Sequence, residues 1–168
     1  MKRTECLAAH ALLTIARHRD GFDAERCRLV LEYLDTSAML RAAIHRALAP
    51  HKLSESQFSV LVVLFSLDPD PIGSADLAIH TAVTRSAITD ALDHLEEKGF
   101  ITRARDNFDR RVIYVRLTAE GRALVEPATQ GVLRVVQSIT RLLDTTIRQH
   151  VLAGCALLQE GATTSAQI

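Results

Sequence analysis

Leu29, Val30, Leu34, Ala38, Leu40, Ile44 and Leu48 recur at helical spacing between Glu25 and Ala49, and Pro50 ends the run because proline cannot continue a helix. The pattern predicts one long helix. A shorter run, Leu7, Ala11, Leu12 and Ile15, precedes it and stops at "RDGFD", where Gly21 supplies the break, so a separate N-terminal helix is expected. Ser54 has the chemistry of an N-cap for the next run, in which Phe58, Leu61, Val62, Leu64 and Phe65 predict a helix to about Leu67 that is buried on most sides. "DPDPIG" follows, with prolines and a glycine that argue against regular structure. Ser74 then reads as the cap of a short helix, "ADLAIH". After a tight turn, Thr84 caps "RSAITDALDHLEEKG", where Ala87, Ile88, Ala91, Leu92 and Leu95 form one apolar stripe and Gly99 is placed to end the helix.

The period then changes from helical to alternating. "FITRAR" alternates Phe100, Thr102 and Ala104 with Ile101, Arg103 and Arg105, and "VIYVRLT" alternates Ile113, Val115 and Leu117 with Val112, Tyr114 and Arg116. Two strands joined by the turn "DNFDRR" make a hairpin directly behind a helix-turn-helix, the order of a winged helix. Beyond the hairpin, Leu124, Val132, Leu133, Val136, Ile139, Leu142, Leu143 and Ile147 continue an apolar stripe too long for the winged-helix lobe to cover. Pro127 and Gly131 within it suggest a bend. A second copy of the chain, or the long first helix, would have to cover this stripe. The fold class expected is mainly α with a small β-hairpin wing (α+β). Residues 1–50 and 119–168 are expected to form dimerisation regions around a DNA-binding domain at 51–118.

Bulk composition agrees and adds one asymmetry. The 168 residues are 48% hydrophobic and 24% charged, as expected of a soluble globular domain, and the formal net charge is zero. That neutrality hides a local excess: residues 100–118 hold five basic against two acidic side chains, whereas 51–99 hold three against eight. A basic patch on a neutral protein suits contact with phosphates, although a solvated hairpin would look the same by charge alone. No run approaches the roughly 18 apolar residues of a membrane span. Three cysteines, Cys6, Cys27 and Cys155, lack metal-ligand spacing, so reduced thiols in a cytoplasmic protein are expected. No Gly-rich phosphate loop, H-E-x-x-H or nucleophile elbow is present, which argues against an enzyme, and neither a cofactor nor a metal is expected.

The segment "SADLAIHTAVTRSAITDALDHLEEKGFITRARDNFDRRVIYVRLTAEG" resembles the winged-helix core of the multiple antibiotic resistance regulator (MarR) family. The resemblance rests on "LA" of the first short helix, "TRSAIT" opening the second, "LEEKGFITR" entering the first strand, the "DRR" wing and "LTAEG" leaving the second strand. It implies a homodimer whose N- and C-terminal helices interlock, with each protomer presenting a winged helix to a pseudo-palindromic double-stranded DNA operator. Asp109 would then orient Arg111 into the minor groove and Arg110 would contact phosphate. Arg85, Ser86 and Thr89 would make base and backbone contacts, and Thr84 would cap their helix. By their place lower on the ribbon, and not by the resemblance, Arg103 and Arg116 are expected as screened phosphate neighbours. Asp90 and Asp93 depart from the basic residues common in the family. An aspartate repels phosphate but can accept from cytosine N4.

The resemblance further implies a repressor released by a small aromatic or phenolic ligand, with Arg41, His45, His51 and Phe58 as candidate pocket residues. An alternative is an oxidant-sensing repressor using Cys27, flanked by Arg26 and Arg28, with Cys6 resolving it across the dimer. Against it, free cysteine is commonly a small buried hydrophobe, which is the plainer reading for both Cys155 and Cys27. A third is a winged-helix module for protein contacts, permitted by Asp90 and Asp93. DNA, a second copy and a small effector are the partners expected, and no membrane.

Overall fold

The computed structural model describes residues 7–81, 84–106 and 112–165, without the side chains of Leu7 and Arg85. The helices are α1 (Leu7–Arg17), α2 (Ala24–Leu48), α3 (Glu55–Leu67), α4 (Ser74–His80), α5 (Arg85–Glu97), α6 (Ala119–Thr140) and α7 (Thr145–Ser165). A short 3-10 turn, Ala49–His51, follows α2, and the strands are β1 (Ile72–Gly73), β2 (Ile101–Arg105) and β3 (Ile113–Leu117).

Local chemistry explains where the helices start. Asp23 accepts from the N–H groups of Glu25 and Arg26 at 2.9 and 3.1 Å and so begins α2. Ser54 and Gln57 cap α3 reciprocally: the Gln57 N–H donates to Ser54 Oγ at 3.2 Å, and the Ser54 N–H donates to Gln57 Oε1 at 3.0 Å. Thr84 Oγ1 accepts from the Ala87 N–H and Thr118 Oγ1 from the Gly121 N–H, which starts α5 and α6. Gly99, at φ +74°, ends α5 in the left-handed region and turns the chain into β2.

Two expectations are corrected. "DPDPIG" does contain regular structure: Ile72 and Gly73 pair antiparallel with Val115 and Tyr114, which gives a sheet of order β1-β3-β2. Both prolines precede the pairing residues, so neither removes a ladder bond. Ser74 is the first residue of α4 and not its cap; extended Gly73 stands there, and no side chain caps the helix. The stripe after the wing is shared by two helices: α6 runs through Pro127 and Gly131 to Thr140, and residues 141–144 join it to α7. Pro127 and Ala123, whose carbonyl loses its partner, lie on the exposed side where water can serve it. Asp144 then accepts from the Ile147 N–H at 2.8 Å and starts a new helix.

The core joins the winged helix to the long helices. Val60, Leu61 and Leu64 of α3 meet Leu77 of α4, Ile88, Ala91, Leu92 and Leu95 of α5, Ile101 and Val115 of the sheet, and Leu48, Val125 and Ala128 of α2 and α6. Phe58, Val62 and Phe65 pack at its edge, half-buried. Away from this core, large apolar side chains face solvent on α1, α2, α6 and α7, among them Leu12, Leu29, Tyr33, Leu34, Leu133, Val136 and Leu152. No residue of α7 is buried. Among the described residues, no helix is long and apolar enough to cross a membrane.

Candidate nucleic-acid interface

Burial of Ile88, Ala91, Leu92 and Leu95 decides which side of α5 faces outward. Thr84, Ser86, Thr89, Asp90 and Asp93 are all exposed, and all but Asp93 fall at the N-terminal half of the helix. That end carries the unpaired N–H groups and the positive end of the helix dipole, which favour an anion. Thr84 Oγ1 stands 3.3 Å from Ser86 Oγ while accepting the Ala87 N–H at 3.4 Å, so cap and first turn form one hydroxyl pair. The Arg85 side chain is outside the description, but its backbone is the first residue of this helix. Asp90 borders a polar recess of about 360 Å³ shared with Ser54, Ser56, Gln57 and His94.

The ribbon stands next to α5. Its register pairs Ile101 with Leu117, Arg103 with Val115 and Arg105 with Ile113. The Asp106 N–H donates to the Val112 carbonyl at 3.0 Å. Asp109, Arg110 and Arg111, the expected tip residues, lie between these two and outside the described residues. Arg105 is exposed.

Arg103 has partners that spacing did not suggest. Its Nη2 donates to Asp93 Oδ1 at 2.5 Å and its Nε to Glu96 Oε2 at 2.7 Å, and its side chain is only 22% exposed. Burial by itself would lower its pKa, but the two carboxylates, by hydrogen bond and by charge, overcome that and raise it. Arg116 donates to the Pro69 carbonyl at 3.0 Å, which ties β3 to the loop before β1. Arg122 pairs with Asp68 and lies over the Phe65 ring at 5.5 Å, fastening the same loop to α6. Of the arginines expected at phosphates, Arg103 is therefore committed to carboxylates.

The candidate effector residues lie on α2, in the 3-10 turn that follows it and on α3. Arg41 pairs with Glu55 at 3.7 Å across the α2–α3 junction, His45 is exposed, His51 is half-buried in the 3-10 turn and Phe58 packs at the core edge. A different cavity, of about 540 Å³, opens between α1 and α2, with apolar walls that include Leu12, Ile15, Phe22 and Val30, and with Arg19, Arg26 and Cys27 also lining it. Sequence spacing missed it because its walls come from two helices whose angle is set by the turn at Gly21. The arginines flanking Cys27 have carboxylate neighbours of their own, Arg26 with Asp23 at 3.3 Å and Arg28 with Glu25 at 3.9 Å. Cys6 lies outside the described residues. Cys155 is half-buried, contrary to the expectation of a buried hydrophobe, and its thiol neighbours the Tyr33 hydroxyl, whose pKa it raises. Among the described residues, no three His, Cys, Asp or Glu side chains gather as a metal site would require.

Comparison with known proteins places this architecture. The MarR family model matches residues 53–113, from two residues before α3 to the first residue of β3. The HTH-type transcriptional repressor YetL of Bacillus subtilis is 32% identical over 120 residues, which cover 70% of this chain and 72% of YetL. The transcriptional repressor CouR of Rhodococcus jostii RHA1, solved bound to a 23-mer DNA duplex, superimposes with a TM-score of 0.68 at 28% identity, covering 78% of this chain and 92% of that one. Bordetella bronchiseptica BpsR, whose DNA binding is regulated by 6-hydroxynicotinic acid, gives a TM-score of 0.65 at 25% identity, covering 77% and 89%. A capped outward-facing helix, a ribbon beside it and a repressor sharing most of its length identify the chain as a member of the MarR family of DNA-binding transcription regulators.

Proposed function

We propose that the protein is a homodimeric repressor that binds a pseudo-palindromic operator and is released by a small aromatic acid. The observation that carries this reading is the pairing of two surfaces on one chain. One is the polar N-terminal half of α5 beside the ribbon; the other is an apolar face on α1, α2, α6 and α7 that no other described residue covers. The first suits a major groove and the second a second copy. Thr84, Arg85, Ser86, Thr89 and Asp90 form the groove-facing set. Arg111, oriented by Asp109, enters the minor groove, where A·T pairs narrow it and deepen its negative potential, and Arg110 contacts phosphate. Two such helices related by a two-fold axis meet the major groove about 10 bp apart, or a multiple of that.

The aromatic acid is supported by the effector of BpsR; in this reading Arg41, on α2, would exchange Glu55 for the ligand carboxylate, with His45 and His51 as further cations and Phe58 as an apolar wall. Release by oxidation at Cys27 is the second reading, favoured by the place of Cys27 in the wall of the α1–α2 cavity. A gel shift with DNA flanking the protein's own coding region tests the assignment, with aromatic acids and peroxide added in separate lanes. Sequence-specific retardation supports the regulator, and no retardation at any salt concentration favours a module for protein contacts.

A further inference from the structure

We propose that Arg103 is a positioning residue of the DNA-binding surface: it clamps the root of the wing to the C-terminal half of the recognition helix through Asp93 and Glu96, so that helix and ribbon meet DNA as one body. The proposal rests on the assignment of α5 and the ribbon as the DNA-binding elements. The two elements are joined by the short turn Lys98–Gly99–Phe100, with Gly99 in the left-handed region. Backbone bonds from the Gly99 N–H to the Glu96 carbonyl and from the Phe100 N–H to the Leu95 carbonyl, both 2.9 Å, hold that turn at its base. They fix one point of attachment. Arg103 supplies a second, farther along β2, by reaching back to two carboxylates that lie one helical turn apart on α5.

The alternation of β2 explains why the reach is toward α5. Arg103 shares its strand face with Ile101, which is fully buried against the core, so its side chain leaves the sheet on the side where α5 packs. Its guanidinium offers separate N–H groups to each carboxylate, an arrangement that fixes direction as well as distance. To neutralise a phosphate, the group would first have to leave both partners. The leverage is considerable, because three residues of strand separate Arg103 from Asp106, or about 10 Å, and a 10° rotation at the root displaces the ribbon there by about 1.7 Å. Base and minor-groove contacts need placement within roughly 0.5 Å.

The clamp also accounts for acidic residues at a surface meant for a polyanion. Asp93, Glu96 and Arg103 together carry one net negative charge. If Arg103 were a phosphate contact, removing the carboxylates would free it and strengthen binding. If it is a clamp, removing them loosens the wing and weakens binding to the operator, although the protein has lost two negative charges. The signs are opposite.

The experiment titrates labelled operator, and a random-sequence duplex of equal length, with the full-length wild type, Asp93→Asn/Glu96→Gln, Arg103→Gln and the reciprocal exchange Arg103→Glu/Glu96→Arg at several salt concentrations. Hydrogen exchange of the β2 amides is followed without DNA. For Asp93→Asn/Glu96→Gln the expected result is a loss of operator affinity of at least tenfold with an unchanged salt slope, no loss on the random duplex, and faster β2 exchange. Arg103→Gln should match it on the operator, and the exchange should recover most of the affinity. Unchanged β2 exchange in the double variant would overturn the clamp whatever the DNA result, so a wrongly chosen operator cannot conceal its failure. Tighter operator binding by the double variant, or a salt slope that falls by about one in Arg103→Gln, would also overturn it and return Arg103 to the phosphates.

Discussion

Gly121 offers a perturbation whose sign separates tertiary constraint from helix propensity. It is the third residue of α6, and a Cβ there would overlap the Phe100 carbonyl oxygen and stand 2.9 Å from Leu117 Cδ1. The carbonyl has little freedom to move, since it accepts the Thr118 N–H at 3.1 Å, while the Thr118 hydroxyl donates to the Gly99 carbonyl at 2.8 Å. In an unconstrained helix, glycine to alanine gains about 0.5–1 kcal/mol. At Gly121 that gain is set against overpacking into backbone, which costs about 1–3 kcal/mol where the surroundings relax and more where they cannot. Gly121→Ala should therefore be destabilising by about 1–3 kcal/mol, a fall in Tm of roughly 2–4 °C per kcal/mol at this chain length. Gly161→Ala is the matched control: it lies on exposed α7 with nothing within 4 Å of its Cβ position, and should be neutral or slightly stabilising. Both are measured by urea unfolding at one fixed protein concentration, because dimerisation makes the midpoint concentration-dependent. A Gly121→Ala midpoint equal to or above wild type would refute the close approach of α6 to the wing root.

Arg111→Ala should cost about 1–3 kcal/mol of operator affinity in a fluorescence titration. Asp109→Ala should weaken binding as well, against the sign expected from charge alone; binding as tight as wild type would make the wing arginines a diffuse patch. Leu133 is 56% exposed, so burying that exposed part in a two-fold interface is worth about 1 kcal/mol per protomer, and Leu133→Ala should raise the dimer Kd by roughly ten- to hundredfold in sedimentation equilibrium. A wild-type monomer at micromolar concentration would remove the basis of that estimate. Cys27→Ser should leave operator binding and its response to an aromatic acid unchanged; peroxide-dependent release that the substitution abolishes would put the thiol first.

Much of this protein is determined by local rules that act within a few residues. Helix starts at Ser54, Thr84 and Thr118 follow from side-chain oxygens satisfying N–H groups of the first turn, and the end of α5 follows from the tolerance of Gly99 for positive φ. Alternation in β2 and β3 and the apolar stripe of α5 are equally local, which is why the winged helix and its resemblance to the MarR family were legible in the sequence. Tertiary structure decided whatever depends on an angle or a distance between elements. Strand β1 is two residues long and has no period of its own; it exists only because β3 offers it an edge. Arg103 alternates as a hairpin residue should, and nothing in its spacing reveals two carboxylates seven and ten positions earlier, since the turn at Gly99 brings them within reach. Spacing placed Arg41 and Phe58 at one junction but did not reveal that Phe58 packs at the core edge or that Arg41 has Glu55 as its partner. Hydrophobic period and capping act along one chain segment, whereas ion-pair partners, cavities and edge strands depend on how segments are packed together.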